Sequence, residues 1–233
     1  AKSKSSKKKD LATTAEKKPS NPEVVPATPV APEYNVPVAQ DIVFQPNPGP
    51  QTEYLASGER EVLYGGAAGG GKSYATLADP LRNMNNPDFS GLLVRHTTEE
   101  LRELIQKSQE LYPKAIPGIK WSERKSQWTT PRGGTLWMSN LDRDTDVMRY
   151  QGQAFNYVAF DELTQWQSPF AWNYMRSRLR SANKDLGLYM RATTNPGGVG
   201  HAWVKKMFIN PSSPNKAFWA TDIETGEVLK FPS

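Results

Sequence analysis

Gly66-Ala67-Ala68-Gly69-Gly70-Gly71-Lys72-Ser73 fits the spacing GxxxxGK(S/T), and no other stretch of the 233 residues limits the fold so strongly. Glycines at this spacing let the backbone wrap with consecutive N–H groups turned inward. Those groups, with the positive end of a following helix, hold phosphate oxygens. The lysine of such a loop reaches the outer phosphates, and the hydroxyl after it ligates Mg²⁺. The loop works only between a strand and a helix. Residues 61–64 (EVLY) supply a short strand, and residues 72–81 have helical composition that stops around Pro80.

The remaining chain repeats that alternation. Residues 91–95 (GLLVR) read as a buried strand, and residues 97–111 as a helix with Leu101, Leu104, Ile105 and Leu111 at helical spacing. Thr98, Glu99 and Glu100 give that helix an acidic first turn. Residues 127–139, broken at Pro131-Arg132-Gly133-Gly134, read as a hairpin. Residues 156–160 form another buried strand, followed by a helix over 169–181, a strand over 188–193 and a shorter helix from about Ala202. A final hairpin is expected over 218–231, turning at Thr225-Gly226. Strands alternating with helices predict an α/β domain with a mostly parallel sheet flanked by helices. Ligands of such sheets sit at the carboxyl ends of the strands, which singles out residues 65–73, 161–162 and 194–198.

Asp161-Glu162 follows four apolar residues, and two carboxylates at the end of a buried strand need a partner or a metal. In a nucleotide hydrolase the first would hold Mg²⁺ together with Ser73, and the second would orient the attacking water. Thr194 and Asn195 follow a further strand and can sense a γ-phosphate by hydrogen bonding, while Pro196-Gly197-Gly198 makes a sharp turn beside them.

Composition narrows the chemistry. Cysteine is absent, which removes disulfides, Cys-ligated metals and cysteine nucleophiles, and His96 and His201 are too few for a multi-histidine metal site. No run of 18 apolar residues suggests a membrane span, and a reducing cytoplasm suffices for the chain. The net charge of +5 resides in the first 18 residues, where seven lysines oppose Asp10 and Glu16. Residues 1–40, with six prolines and Tyr34 as their one aromatic, read as a Lys/Pro-rich disordered tail and linker. Residues 41–233 then form one domain. Asp142, Asp144 and Asp146 lack the glycine and terminal glutamate of a calcium loop. Trp121, Trp128 and Trp137 read as core or sheet-face residues.

The blocks YGGAAGGGKS, LLVRHTTEEL, RYQGQAFNYVAFDELTQW and TTNPGGVGH resemble the ATPase domain of the large terminase of tailed bacteriophages, over residues 44–203. The resemblance implies a RecA-like P-loop fold of the additional-strand, catalytic-glutamate (ASCE) class. It also implies a homo-oligomeric ring that hydrolyses ATP with Mg²⁺ and drives double-stranded DNA into a procapsid. The portal protein and a small terminase subunit would be its partners, in the host cytoplasm with no membrane role. By that resemblance residues 66–73, with Lys72 and Ser73, are the Walker A loop, Asp161 is the Walker B aspartate and Glu162 the catalytic glutamate. Thr194 and Asn195 fall in the coupling motif, and Phe44, Gln51 and Tyr54 in the adenine-contacting segment.

Two departures from the family pattern stand out. Many relatives carry a basic residue directly before the glycine matching Gly152, a trans-acting arginine; here Gln151 stands there, so Arg149 becomes the candidate, with Arg178 and Arg180 as rivals. Relatives also continue into an RNase H-like nuclease domain that residues 41–233 do not supply, so a C-terminally truncated chain is expected. Two other readings stay open at this level. One is a RecA-like helicase or recombinase, and the other a ring subunit that binds nucleotide without turnover.

Overall fold

A computed structural model describes residues 42–211, 213, 216, 218–221 and 228–231. The Lys/Pro-rich tail and the Thr225-Gly226 turn lie outside the described residues. Among the described residues, nine strands and six α-helices follow one another. Helix α1 (Pro50–Ala56) leads into β1 (Glu61–Gly65), α2 (Lys72–Ala78), α3 (Leu81–Met84), β2 (Ser90–Arg95) and α4 (Thr98–Ala115). Next come β3 (Lys120–Ser122), β4 (Gln127–Thr129), β5 (Thr135–Asn140), β6 (Tyr157–Phe160), α5 (Phe170–Arg176), β7 (Tyr189–Thr194) and α6 (His201–Val204). Strands β8 (Phe218–Thr221) and β9 (Val228–Phe231) pair antiparallel as the expected terminal hairpin.

Seven strands form one sheet in the order β1-β7-β6-β2-β5-β4-β3. The first five run parallel, and β4 and β3 add an antiparallel edge. The apolar runs of β2, β6 and β7 are continuous because both sheet faces are covered. Leu92, Val94, Val158, Phe160, Met190 and Ala192 pack on one face with Trp166, Trp172 and Met175. Their neighbours Leu93, Tyr157, Ala159 and Tyr189 pack on the other with Leu77, Leu104 and Tyr112 of α2 and α4. The period of two along each strand decides which residue serves which core.

Helix α4 begins at a reciprocal cap. Thr97 Oγ1 accepts from the Glu100 N–H at 3.3 Å, and Glu100 Oε2 accepts from the Thr97 N–H at 3.3 Å. The helix runs past the expected Leu111 to Ala115 and takes Pro113 into its last turn. Helix α5 is shorter than residues 169–181. Beyond Arg176 the backbone turns to Phe155 instead, whose N–H donates to the Arg178 carbonyl while its carbonyl accepts from the Arg180 N–H.

At the amino end of β1, Glu61 is 2% exposed and accepts two hydrogen bonds from Arg176, at 2.6 and 3.0 Å, and one from Trp172 Nε1 at 3.0 Å. This cluster ties α5 to the strand that carries the loop. Arg176→Met leaves a buried carboxylate without its guanidinium, a change that costs about 3–5 kcal/mol at such sites. Chemical denaturation is expected to show a loss of that size; a loss below about 1 kcal/mol would mean that Glu61 finds water or protonates freely.

Candidate active site

Four strands of the parallel sheet end at the same edge, and their following residues build the site. β7 lies between β1, which carries the loop, and β6, which carries the acidic pair. Residues after β7 therefore stand between phosphate loop and carboxylates.

The loop needs backbone that only glycine adopts easily. Gly71 has φ 70° and directly precedes α2, and a Cβ there would lie 2.6 Å from Gln51 Nε2. Tyr64 Oη donates to the Gly70 carbonyl at 2.8 Å and Gln51 Nε2 to the Gly71 carbonyl at 2.9 Å, so two side chains fix the loop from outside. Lys72 is buried, and its ammonium donates to the carbonyls of Gly66 (3.0 Å) and Ala67 (2.6 Å). It therefore lies across the loop that carries it.

Ser73, the second residue of α2, donates its hydroxyl proton to Asp161 Oδ2 at 3.1 Å, across 88 residues of sequence. Asp161 is fully buried. Its other oxygen accepts from the Thr193 hydroxyl, and Arg95 Nε stands 3.3 Å from Oδ2. Arg95 Nε and Nη1 are buried without a hydrogen-bond partner, so the ion pair is close but not aligned. Two hard oxygens from Ser73 and Asp161 match Mg²⁺, which takes one or two protein ligands and fills its octahedron with phosphate and water. No group of three or more His, Cys, Asp or Glu side chains that could hold a metal occurs among the described residues, and this ion does not require one.

Glu162 is one of two non-glycine residues with positive φ among those described, at φ 64° and ψ 56°. That conformation is strained for a glutamate and persists only where the surroundings impose it. They do so here from three sides. Its N–H donates to Thr193 Oγ1 at 3.0 Å, and its carboxylate accepts from the Asn195 N–H at 3.1 Å and from Asn195 Nδ2 at 2.6 Å. Half-burial raises the pKa of Glu162, and the neighbouring Asp161 adds to the rise. A carboxylate held this way, beside a phosphate loop and above its ordinary pKa, is suited to take a proton from water.

The structure brings Lys72, Ser73, Asp161, Glu162 and Asn195 into one constellation. Thr194 is adjacent, but its hydroxyl donates to Thr164 Oγ1 at 2.9 Å; Thr193, which sequence reasoning gave no role, holds Asp161 and Glu162 instead. Arg95 was also missed, although a charge ending an apolar strand is the same signal that singled out Asp161-Glu162. Tyr54 is a core residue whose ring packs on Tyr64 at 5.2 Å. Arg149 is 45% exposed and pairs with Asp146 of its own turn at 3.6 Å. Its rivals are engaged elsewhere too, Arg178 over the Tyr174 ring and Arg180 with the Gln153 carbonyl. His96 packs edge-on against Trp166, and His201 Nδ1 accepts from the Gly197 N–H at 3.3 Å.

Several solved structures similar to this fold are phage packaging proteins. The large terminase of a thermophilic bacteriophage superposes with a TM-score of 0.56 at 19% identity, covering 71% of this chain and 43% of that one. The same enzyme in complex with ADP gives 0.52 at 18%, covering 69% and 42%. The large-terminase ATPase domain of Thermus phage P74-26 gives 0.52 at 14%, covering 73% of each chain. The N-terminal domain of the DNA packaging ATPase of bacteriophage phi29 gives 0.51 at 14%, covering 79% and 95%. These likenesses establish the RecA-like ASCE fold, and the chain spans under half the length of the first of them. No curated protein matches the sequence. The family model for the N-terminal part of T4-like-virus-type terminase large subunits matches residues 63–225. With 70% of its length under that model, and the loop, the carboxylates and the turn at 196–198 all inside the match, the chain belongs to the terminase large subunit family and matches its N-terminal part.

Proposed function

We propose that residues 41–233 hydrolyse Mg²⁺-bound ATP and couple that reaction to movement of double-stranded DNA into a procapsid. The observation that carries this reading is Glu162, held by Asn195 next to Asp161 and Ser73. Residues 66–71 offer backbone N–H groups to the phosphates, and Lys72 neutralises their charge. Ser73 and Asp161 would hold Mg²⁺, which when bound supplies positive charge to the phosphate oxygens. Glu162 accepts a proton from water as the water oxygen bonds to the γ-phosphorus. The bond from that phosphorus to the bridging oxygen of ADP then breaks, and the bridging oxygen leaves with its electron pair. Asn195, bonded to the base and next in chain to Thr194, links phosphate occupancy to the turn at 196–198.

One structural neighbour holds ADP, and another is itself a DNA packaging ATPase; both support the reading. Arg149, exposed and outside its own chain's site, would reach a neighbour's γ-phosphate in a homo-oligomeric ring. Portal protein and small terminase subunit, in the host cytoplasm, are the partners that family membership suggests. The RNase H-like nuclease belongs to the C-terminal part of the family's longer chains. A ring subunit without turnover would have no use for a strained, clamped glutamate.

Phosphate release with and without double-stranded DNA tests the motor reading. Stimulation by DNA is expected, and Lys72→Ala should lose at least about tenfold in nucleotide affinity. Equal rates with and without DNA at every chain concentration would remove DNA from the function.

A further inference from the structure

Beyond residue 18 the basic and acidic residues of the chain balance, yet residues 113–132 do not. They hold Lys114, Lys120, Arg124, Lys125 and Arg132 against Glu123. All five cations are exposed, and none of them is in an ion pair among the described residues. They belong to the last turn of α4, to the β3–β4 hairpin at the edge of the sheet and to the turn into β5. Lysine on an edge strand discourages pairing with another chain, but that reason covers Lys120 alone.

The hairpin is a fixed platform. Trp128 of β4 is buried, its Nε1 donates to Ser108 Oγ at 3.0 Å, and its ring stands edge-on to Tyr112 with centroids 5.3 Å apart, so β4 is held to α4. Trp121 of β3 packs on Trp128 at 5.3 Å. A single 3₁₀ turn, Glu123–Lys125, joins the two strands and closes at Ser126, whose φ of 47° is left-handed. Ser126 and Glu162 are the two non-glycine residues in that strained region among those described. The Ser126 N–H donates to the Glu123 carbonyl at 3.1 Å, and its carbonyl accepts from the Met138 N–H at 2.9 Å, which ties the turn to β5. Arg124 and Lys125 therefore stand on a rigid support. Lys120 lies on the order of 10 Å from them, at the other end of the short β3.

We propose that this face, centred on Lys120, Arg124 and Lys125, grips the phosphate backbone of duplex DNA. The proposal rests on the reading of the domain as a DNA-moving ATPase, and it names the surface that meets the DNA. A duplex carries one charge about every 1.7 Å along its axis, so a row of cations on the order of 10 Å long meets several phosphates. Two features of the face favour the duplex over other partners. A protein interface has apolar and aromatic side chains at its centre, and no large apolar side chain of residues 113–132 is exposed. Single strands stack their bases on open aromatic rings, whereas Trp121 is half-buried against Trp128, which is itself buried. Phosphate contacts carry no sequence information, so binding is expected to be indifferent to sequence.

Fluorescence anisotropy of a labelled duplex of mixed sequence, titrated with the full chain at a series of NaCl concentrations, tests this. The logarithm of the affinity should fall linearly with that of the salt concentration. A triple variant, Lys120→Gln with Arg124→Gln and Lys125→Gln, should bind about 10–100-fold more weakly, with a slope shallower by about 2–3. A control variant, Arg60→Gln with Arg102→Gln and Lys184→Gln, removes the same charge from other exposed positions and should shift the slope by less than about 1. Both variants keep the seven lysines of residues 1–18, so any contribution from those is common to both. An unchanged denaturation midpoint shows that the first variant is folded, and its phosphate release without DNA should match that of the wild type. Equal losses in the two variants, or an unchanged slope in the first, would overturn the proposal and leave the patch to solvent or to an acidic protein surface. Tighter binding of a single strand than of the duplex would overturn the choice of duplex. A wild-type chain that binds no duplex at any salt concentration removes DNA from the function beneath the proposal.

Discussion

Glu162→Gln is expected to lower phosphate release by about 10²–10⁴-fold while ATP binding stays within about threefold of wild type. The amide keeps the size of the side chain and its oxygen can still accept from Asn195, so the clamp loses one contact rather than the fold. What disappears is the group that takes the proton. The pH profile carries the same signature. Burial and the adjacent Asp161 raise the pKa of Glu162, and the base works only when deprotonated. Activity is therefore expected to fall as pH drops through a value above the ordinary glutamate range, and to hold on the alkaline side of it. Undiminished turnover in the glutamine variant would remove Glu162 from the chemistry, and an acid limb at or below the ordinary range would contradict the burial argument.

Asp161→Asn is the second large effect. Asp161 is the fully buried carboxylate on which Ser73, Thr193 and Arg95 converge. Asparagine preserves the shape but leaves Arg95 without a counter-charge in a site where two of its donors are already unmatched. It also halves the hard-oxygen set that the ion would use. The Mg²⁺ dependence of ATP binding is expected to weaken by about 10–100-fold and turnover by at least as much, as measured by magnesium titration of both. A lower denaturation midpoint should accompany this, because the unpaired guanidinium destabilises the fold independently of the nucleotide. An Asp161→Asn chain with an unchanged magnesium titration would place the ion elsewhere.

The loop and the acidic pair were legible in the sequence because their chemistry needs fixed residue types at fixed spacing. The strands were legible because burial on both faces makes them continuous apolar runs, and α4 because its periodicity and acidic first turn agree. What stayed hidden depends on register. Thr193 and Thr194 are neighbours of like chemistry, and alternation along β7 sends one to Asp161 and Glu162 and the other to Thr164. Which one does which is settled only by pairing β7 against β6. The end of α5 was hidden for a related reason, since a backbone bridge to Phe155 takes over where helical composition continues. The bonds of Gln51 to Asn47 and Gly71 stayed hidden too, because the direction of an amide is a tertiary fact. β3 is three residues long and leaves no periodic signal.

Steady-state phosphate release from ATP, followed against chain concentration with Mg²⁺ present and then chelated, tests most directly whether this domain is an ATPase built around Glu162. The expected result is magnesium-dependent release that vanishes in Glu162→Gln and rises faster than linearly with concentration, as Arg149 of one copy completes the site of the next. Tight ATP binding with no release at any concentration would contradict it.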